Sequence, residues 1–377
     1  MQRIDLVFFD AGGGHRAAAN ALHQVIELEK RPWEVRLVNL QDLLDPLDIF
    51  RRLTKVRLQD LYNLMLRNGW TLGSSYLLGM IHGVIRLYHR PVVRMLEKFW
   101  GEQRPDMVVS LIPNFNRALG ESLRRALPGV PLVTILTDFA DYPPHFWIER
   151  QTQYFICGTA RAAQQARSLG HDEAHIFQTS GMILAPRFYE AREMDRAAER
   201  RKLGLDPDLP TALVLFGGHG SRVMLEIARR LDGSGLKLQL ILICGRNQDL
   251  ARDLRRLPHR IPMFVEEFTK EIPYYMSLAD LFIGKPGPGS ISEALALRLP
   301  VLVERNAWTL PQERYNADWI VENQMGLVLR NFRYIVQAVA EMLQPENYRR
   351  FHEKAAWYRN RAVFEIPEIL EKILALR

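Results

Sequence analysis

At 377 residues, with 47% hydrophobic and 25% charged residues, the chain has the composition of a globular protein too long for one ordinary core, so two domains are expected. Two cysteines, Cys157 and Cys244, each inside an apolar run, exclude a disulfide scaffold and read as small core residues in a reducing compartment. No apolar run reaches the roughly 18 residues of a membrane span, no signal-peptide pattern precedes the first strand, and the net charge of +7 points to an anionic surface or substrate.

Ile4–Phe9 is a short apolar run, Ala17–Glu29 has helical periodicity, and Val35–Leu40 is strand-like again. Between the first two lies Asp10-Ala11-Gly12-Gly13-Gly14-His15. Gly12, Gly14 and Ala17 have the spacing of a dinucleotide fingerprint, yet the second strand ends in Val38-Asn39-Leu40, without the ribose-binding acid of a dehydrogenase. His15 offers a better reading. It sits at the mouth of a helix where glycines admit a ligand, and a neutral imidazole there can take a proton from a hydroxyl nucleophile.

Residues 47–104 interrupt the strand–helix rhythm. From Arg51 to Arg104 there are ten basic residues (Arg51, Arg52, Lys55, Arg57, Arg67, Arg86, Arg90, Arg94, Lys98, Arg104) against three acidic ones (Asp60, Glu97, Glu102). Arg86, Arg90, Arg94 and Lys98 recur every four residues and share one helical face. One reading is a basic amphipathic helix on an anionic membrane, with Trp70, Tyr76, Tyr88 and Trp100 at the interface. The other is a core helix with a solvated basic stripe.

Met107–Leu111 and Leu132–Thr137 continue the βαβ pattern. The second runs into Asp138-Phe139-Ala140-Asp141-Tyr142-Pro143-Pro144-His145, where Asp138 or Asp141 can orient an acceptor or replace His15 as base. The two acids lack metal-pair spacing, and no other metal signature is present.

A proline-rich connector, Asp206-Pro207-Asp208-Leu209-Pro210, precedes a second start. Strand Ala212–Phe216, turn Gly217-Gly218-His219-Gly220-Ser221 and helix Arg222–Leu231 repeat the opening pattern. The turn offers backbone N–H groups and the Ser221 hydroxyl to a phosphate. Phe264-Val265-Glu266-Glu267-Phe268 ends a further strand, where the backbone can meet a base edge with Phe268 beside it. Strand Leu281–Gly284 then enters Lys285-Pro286-Gly287-Pro288-Gly289-Ser290, a glycine turn that opens a helix and aims bare N–H groups at an anion. Pro288 removes one donor from this turn. Glu293 is expected in the first turn of that helix, accepting from two sugar hydroxyls; phosphate and ribose together mean a nucleotide. After strand Val301–Glu304, Pro311 opens another helix whose Gln312, Glu313 and Asn316 offer amide and carboxylate groups to a hexose.

These signals predict an α/β protein of two Rossmann-like domains with a boundary near residues 190–210. Residues 1–195 form the first, carrying the 47–104 insertion, and 206–345 the second. Residues 346–377 are helical and pack back toward the first.

Asp-Ala-Gly-Gly-Gly-His-Arg-Ala-Ala-Ala at 10–19 resembles the opening of the diacylglycerol glycosyltransferases, the monogalactosyldiacylglycerol synthases and processive diacylglycerol glucosyltransferases of glycosyltransferase family 28. Lys285-Pro286-Gly287 through Glu293-Ala294-Leu295, Pro300, Gln312-Glu313 and Asn316-Ala317 resemble the family's nucleotide-sugar signature. Thr137-Asp138, Tyr142-Pro143, Ser180-Gly181-Met182 and Pro186-Arg187-Phe188 are similar to its middle region. Leu310-Pro311 stands where the family often has Gly before Gln-Glu.

The resemblance implies a GT-B fold, two Rossmann-like domains facing across a cleft, with the acceptor on the first and a UDP-sugar on the second. It implies inverting, metal-independent transfer of a hexose to a lipid hydroxyl, with diacylglycerol the expected acceptor. No cofactor beyond the UDP-hexose substrate and no nucleic-acid partner are expected. His15 matches the essential histidine, with Asp138 the alternative base. Gly14, Gly218, Gly220, Ser221, Phe268, Gly287, Gly289, Ser290, Glu293, Gln312, Glu313 and Asn316 are the expected nucleotide-sugar residues. Arg86, Arg90, Arg94 and Trp100 are the expected membrane and acceptor residues. The expected location is cytoplasmic, on the inner face of the cell membrane. Two rivals share these traces: a non-hydrolysing UDP-sugar 2-epimerase and a sugar-nucleotide-binding regulator without catalysis.

Overall fold

A computed structural model describes residues 1–10, 13–44, 74–190 and 193–376. The chain divides into two compact units, with the break between Pro186 and Arg187 and a return to the first unit at Asn360. Each unit is built on a six-stranded, wholly parallel sheet.

In the first unit β1 (Gln2–Phe8), β2 (Trp33–Asn39), β3 (Met107–Ser110), β4 (Leu132–Ile135), β5 (Tyr154–Cys157) and β6 (Ile176–Gln178) lie in the order β2-β1-β3-β4-β5-β6. Strands β3 and β4 are buried along their whole length, as a sheet covered on both faces requires. Helix α1 (Gly14–Leu28) begins earlier than its apolar periodicity indicates, because Gly13, at φ 81°, adopts the left-handed turn that starts it. His15 therefore falls in the first helical turn.

One buried charge crosses this sheet. Asp5 on β1 is fully buried, and its neighbour in register on β2, Arg36, donates to both carboxylate oxygens at 2.7 Å. Burial pushes the Asp5 carboxyl up, against the pull of Arg36.

The long helix α2 (Ser74–Gln103) follows the expected amphipathic pattern in its second half. Val92, Val93, Leu96 and Trp100 enter the core, while Arg86, Arg90, Arg94 and Lys98 are exposed. Trp100 corrects the expectation of an interfacial residue. It is fully buried and donates its indole N–H to Ser122 Oγ at 3.0 Å, because its position falls on the apolar stripe rather than the basic one. Tyr88 packs partly buried against the same core. Arg51, Arg52, Lys55, Asp60, Arg57, Arg67 and Trp70, together with Gly12, lie outside the described residues, as does the side chain of Tyr76.

In the second unit β7 (Thr211–Leu215), β8 (Gln239–Ile243), β9 (Met263–Glu266), β10 (Leu281–Gly284), β11 (Val301–Glu304) and β12 (Gly326–Leu329) lie in the order β12-β11-β10-β7-β8-β9. Counted within the unit this is the Rossmann order, 6-5-4-1-2-3, with its switch point between β7 and β10. The first sheet has a different order and switches between β1 and β3, so the two halves repeat in rhythm but not in topology.

The last two helices divide between the units. Helix α3 (Ala362–Ala375) belongs to the first unit, where Ile366, Ile369, Leu370, Ile373 and Leu374 form one stripe in the core beneath α1. The preceding helix, Pro345–Trp357, stays with the second unit.

Candidate functional site

The first unit gathers its chemistry beyond the carboxyl ends of β1, β3 and β4, where open α/β sheets bind ligands. His15 Nδ1 lies 3.1 Å from Thr137 Oγ1, and the Leu111 carbonyl also hydrogen-bonds the ring. The imidazole is only partly exposed. Loss of hydration lowers its pKa to about 4, with the Leu111 carbonyl working in the other direction, so at neutral pH it is uncharged. The ring lies 6.0 Å from that of Trp147. Trp147 donates its indole N–H to Asp138 Oδ2 at 2.9 Å and its backbone N–H to Asp141 Oδ1 at 2.7 Å.

Both acids are thus brought to the histidine's neighbourhood, through Trp147. Asp138 is buried and engaged by the indole, which suits a positioning part better than proton abstraction. Burial raises the Asp141 carboxyl to about 6, against three backbone N–H groups of Trp147, Tyr142 and Ile148. Nothing in the sequence pattern singles out Trp147; only its packing in the structure reveals it.

The second unit places its two glycine turns after β7 and β10, the two strands that flank the switch point. After β7, Gly218 is exposed, whereas Gly220 is buried at φ 62° with no room for a side chain: a Cβ there would lie 2.5 Å from the Cys244 carbonyl oxygen. Gly220 serves packing. Ser221 precedes the helix Val223–Asp232, and its Oγ faces the Val223 N–H at 3.4 Å.

After β10, Gly287 caps helix α4 (Pro288–Ala296) from a buried position, while Gly289 is exposed and Ser290 partly so. Pro288 occupies the first helical position, where the missing N–H would have had no intrahelical partner, so the turn keeps the donors that follow. Glu293 is the sixth residue of α4, in its second turn rather than its first. Its carboxyl is raised to about 7 by burial, with the charge of Arg187 opposing.

The residues after β11 divide. Asn316 is fully buried and donates to the Pro286 carbonyl at 2.8 Å, so it fixes the glycine turn rather than reaching a sugar from the surface. Glu313 is nearly buried and accepts from Lys285 Nζ at 2.9 Å, a partner that sequence reasoning does not assign it. Gln312 is partly exposed, with its Oε1 buried and unpaired. Phe268 is 51% exposed beneath the Arg246 guanidinium, 4.9 Å from the ring centre. Among the described residues no group of three or more His, Cys, Asp or Glu side chains is gathered as for a metal ion.

The chain resembles known proteins along nearly its whole length. Residues 15–182 match the model of the monogalactosyldiacylglycerol synthase family, and residues 211–369 match the glycosyltransferase family 28 C-terminal domain. The chain is 28% identical over 397 residues to the rice protein named "Probable monogalactosyldiacylglycerol synthase 2, chloroplastic", an alignment covering 99% of this chain and 81% of that one. It is 27% identical to the spinach "Monogalactosyldiacylglycerol synthase, chloroplastic", over 92% of this chain and 67% of that one. In fold it is similar to Acinetobacter baumannii MurG (TM-score 0.63, 13% identity, 99% and 100% of the two chains) and to the UDP complex of Staphylococcus aureus MnaA (TM-score 0.65, 16% identity, 100% and 98%).

Proposed function

Because the chain is a glycosyltransferase of the family that holds the monogalactosyldiacylglycerol synthases, we propose that it moves a hexose from a UDP-sugar to the free hydroxyl of diacylglycerol, with inversion and without a metal ion. The observation that carries this reading is the pair of glycine turns on either side of the second sheet's switch point, with Glu293 on the helix that one of them opens.

The diphosphate lies on the backbone N–H groups near Gly289 and Ser290 and against the turn at Gly218. Fixed dipoles there stabilise the charge that grows on departing UDP. The ribose hydroxyls donate to Glu293, the base sits by Phe268, and Gln312 and Glu313 face the hexose. The acceptor oxygen attacks the anomeric carbon opposite the UDP oxygen. As the new C–O bond forms and the old one breaks, the hydroxyl proton passes to His15. Thr137 and Trp147 hold the ring, and Asp138 holds Trp147.

Incubation with UDP-hexose and diacylglycerol vesicles is expected to yield a glycolipid whose anomeric configuration is opposite to that of the donor, at a rate unchanged by chelator. Release of an epimerised sugar nucleotide, with no lipid product, would instead establish an epimerase.

Glu293 gives this reading a pH signature. Its carboxyl, raised to about 7, must be ionised to accept from two hydroxyls. UDP binding is therefore expected to release a proton near pH 7 and to weaken about tenfold per pH unit on the acid side. Glu293→Gln should flatten that dependence, and calorimetry in buffers of different ionisation enthalpy measures the proton directly.

No helix among the described residues is long and apolar enough to cross a membrane. The exposed row Arg86, Arg90 and Arg94, with Leu87 76% exposed beside it, supports attachment to an anionic leaflet, which we take to be the inner face of the cell membrane. At about 1 kcal/mol per basic residue, reversing all three arginines to glutamate should weaken binding to anionic vesicles at least about 100-fold. Unchanged sedimentation with vesicles would leave the row as solvated surface.

A further inference from the structure

One charged side chain lies in the second unit's switch-point crevice itself. Lys285 follows β10 directly, and its stem bends across toward the turn after β7. A methyl group on Gly217 would lie 3.7 Å from Lys285 Cε, and one on Gly287 would lie 3.3 Å from it. Glycine at 287 leaves that room, whereas at Gly217 the contact would be an ordinary one. The ammonium ends 2.9 Å from Glu313 Oε1. The lysine side chain is 38% exposed and the glutamate 11%, so one partner is accessible and the other is nearly enclosed.

From this geometry we propose that Lys285 exchanges partners: it is paired with Glu313 in the free enzyme, and it moves to the diphosphate of the nucleotide sugar on binding. Its departure releases Glu313 to accept from a hexose hydroxyl. The inference rests on the donor site described above and adds to its fixed dipoles a full positive charge. Lysine suits the exchange. Its four-carbon stem swings freely, and a compact ammonium serves a carboxylate and a phosphate equally, without the planar bidentate match that would tie arginine to one partner. Glu313 suits it as well. A nearly buried carboxylate is costly to leave without a partner, so it holds the lysine against water and yields it to a diphosphate only at a cost, which a hexose hydroxyl then offsets.

The exchange makes two variants behave oppositely toward UDP, which carries the diphosphate but no hexose. Lys285→Met should weaken UDP binding by about 10- to 100-fold, the worth of a hydrogen bond to a charged group, while leaving binding of uridine unchanged. Glu313→Gln breaks that ion pair in advance and should tighten UDP severalfold, yet lose the extra affinity that UDP-hexose has over UDP. In the double variant the gain must vanish, because it acts only through Lys285. Lys285→Arg should restore UDP affinity only in part. Titration calorimetry of the wild type and the four variants, with melting temperatures to confirm folding, tests this. UDP affinity within twofold of wild type in Lys285→Met would overturn the exchange, as would a tightening by Glu313→Gln that persists in the double variant. Failure of the wild-type protein to bind UDP would overturn the donor site itself, a result distinct from either.

Discussion

Replacing His15 by alanine is expected to lower turnover about 100- to 10,000-fold, the range a positioned general base contributes, while UDP affinity stays within error of wild type. The distinction follows from where the groups reside. The glycine turns and Glu293, proposed to hold the donor, are on the second unit, and the imidazole is on the first. The pH profile sharpens the test. The ring's pKa is lowered from 6.5 to about 4, so at saturating donor the acid limb of kcat should fall near pH 4 rather than near 6.5. The same shift has a stability consequence of definite sign. Between pH 6.5 and 4 the unfolded chain binds the proton that the folded imidazole refuses, so His15 costs stability as pH falls through that window. His15→Gln should remove that loss. Undiminished transfer by His15→Ala would eliminate it as the base and return Asp138 and Asp141 to consideration.

The second large effect concerns folding. Arg36→Ala is expected to destabilise the first unit by about 3–5 kcal/mol, because it strands the fully buried Asp5 without its two 2.7 Å donors. The Asp5 carboxyl is already raised by burial. A group held above its unfolded value contributes stability at low pH that is lost as pH rises through the folded value. Loss of Arg36 raises the carboxyl further, so the defect should be large at pH 7 and shrink toward pH 4. Asp5→Asn in the same background should recover much of it. Urea midpoints at the two pH values measure both effects. A defect independent of pH would mean that Arg36 acts through the packing of its stem.

Much of the fold was legible because its signals are local. The apolar runs at Leu281–Gly284 and Val301–Glu304 coincide with β10 and β11, and that at Ile4–Phe9 overlaps β1. Strand order was not legible, since β1 beside β3 and β7 beside β10 are pairings that no local pattern encodes. His15, Glu293 and the two glycine turns were found from residue type beside a turn. Their finer roles needed three dimensions. Gly220 and Gly218 are two residues apart, yet one is packed against Cys244 and the other is open. Asn316 looks like a sugar ligand by type, and its amide N–H braces the Pro286 carbonyl. Lys285 reads as one cation among fifty lysines and arginines until its partner Glu313, 28 residues later, is beside it. Trp100 shows the same limit in reverse, for an aromatic near a basic row suits core and interface alike until the helix is in place.

The return of the last helix to the first unit sets an order of assembly. Ile366, Ile369, Leu370, Ile373 and Leu374 close the apolar surface beneath α1. On a ribosome that surface is exported long before its lid. At about 5–20 residues per second, roughly 10–40 s separate the emergence of Pro186 from that of the residues that complete its core. During that interval the nascent first half presents an uncovered greasy face, which makes it a client for a holding chaperone. A premature stop after Arg359 would make that condition permanent.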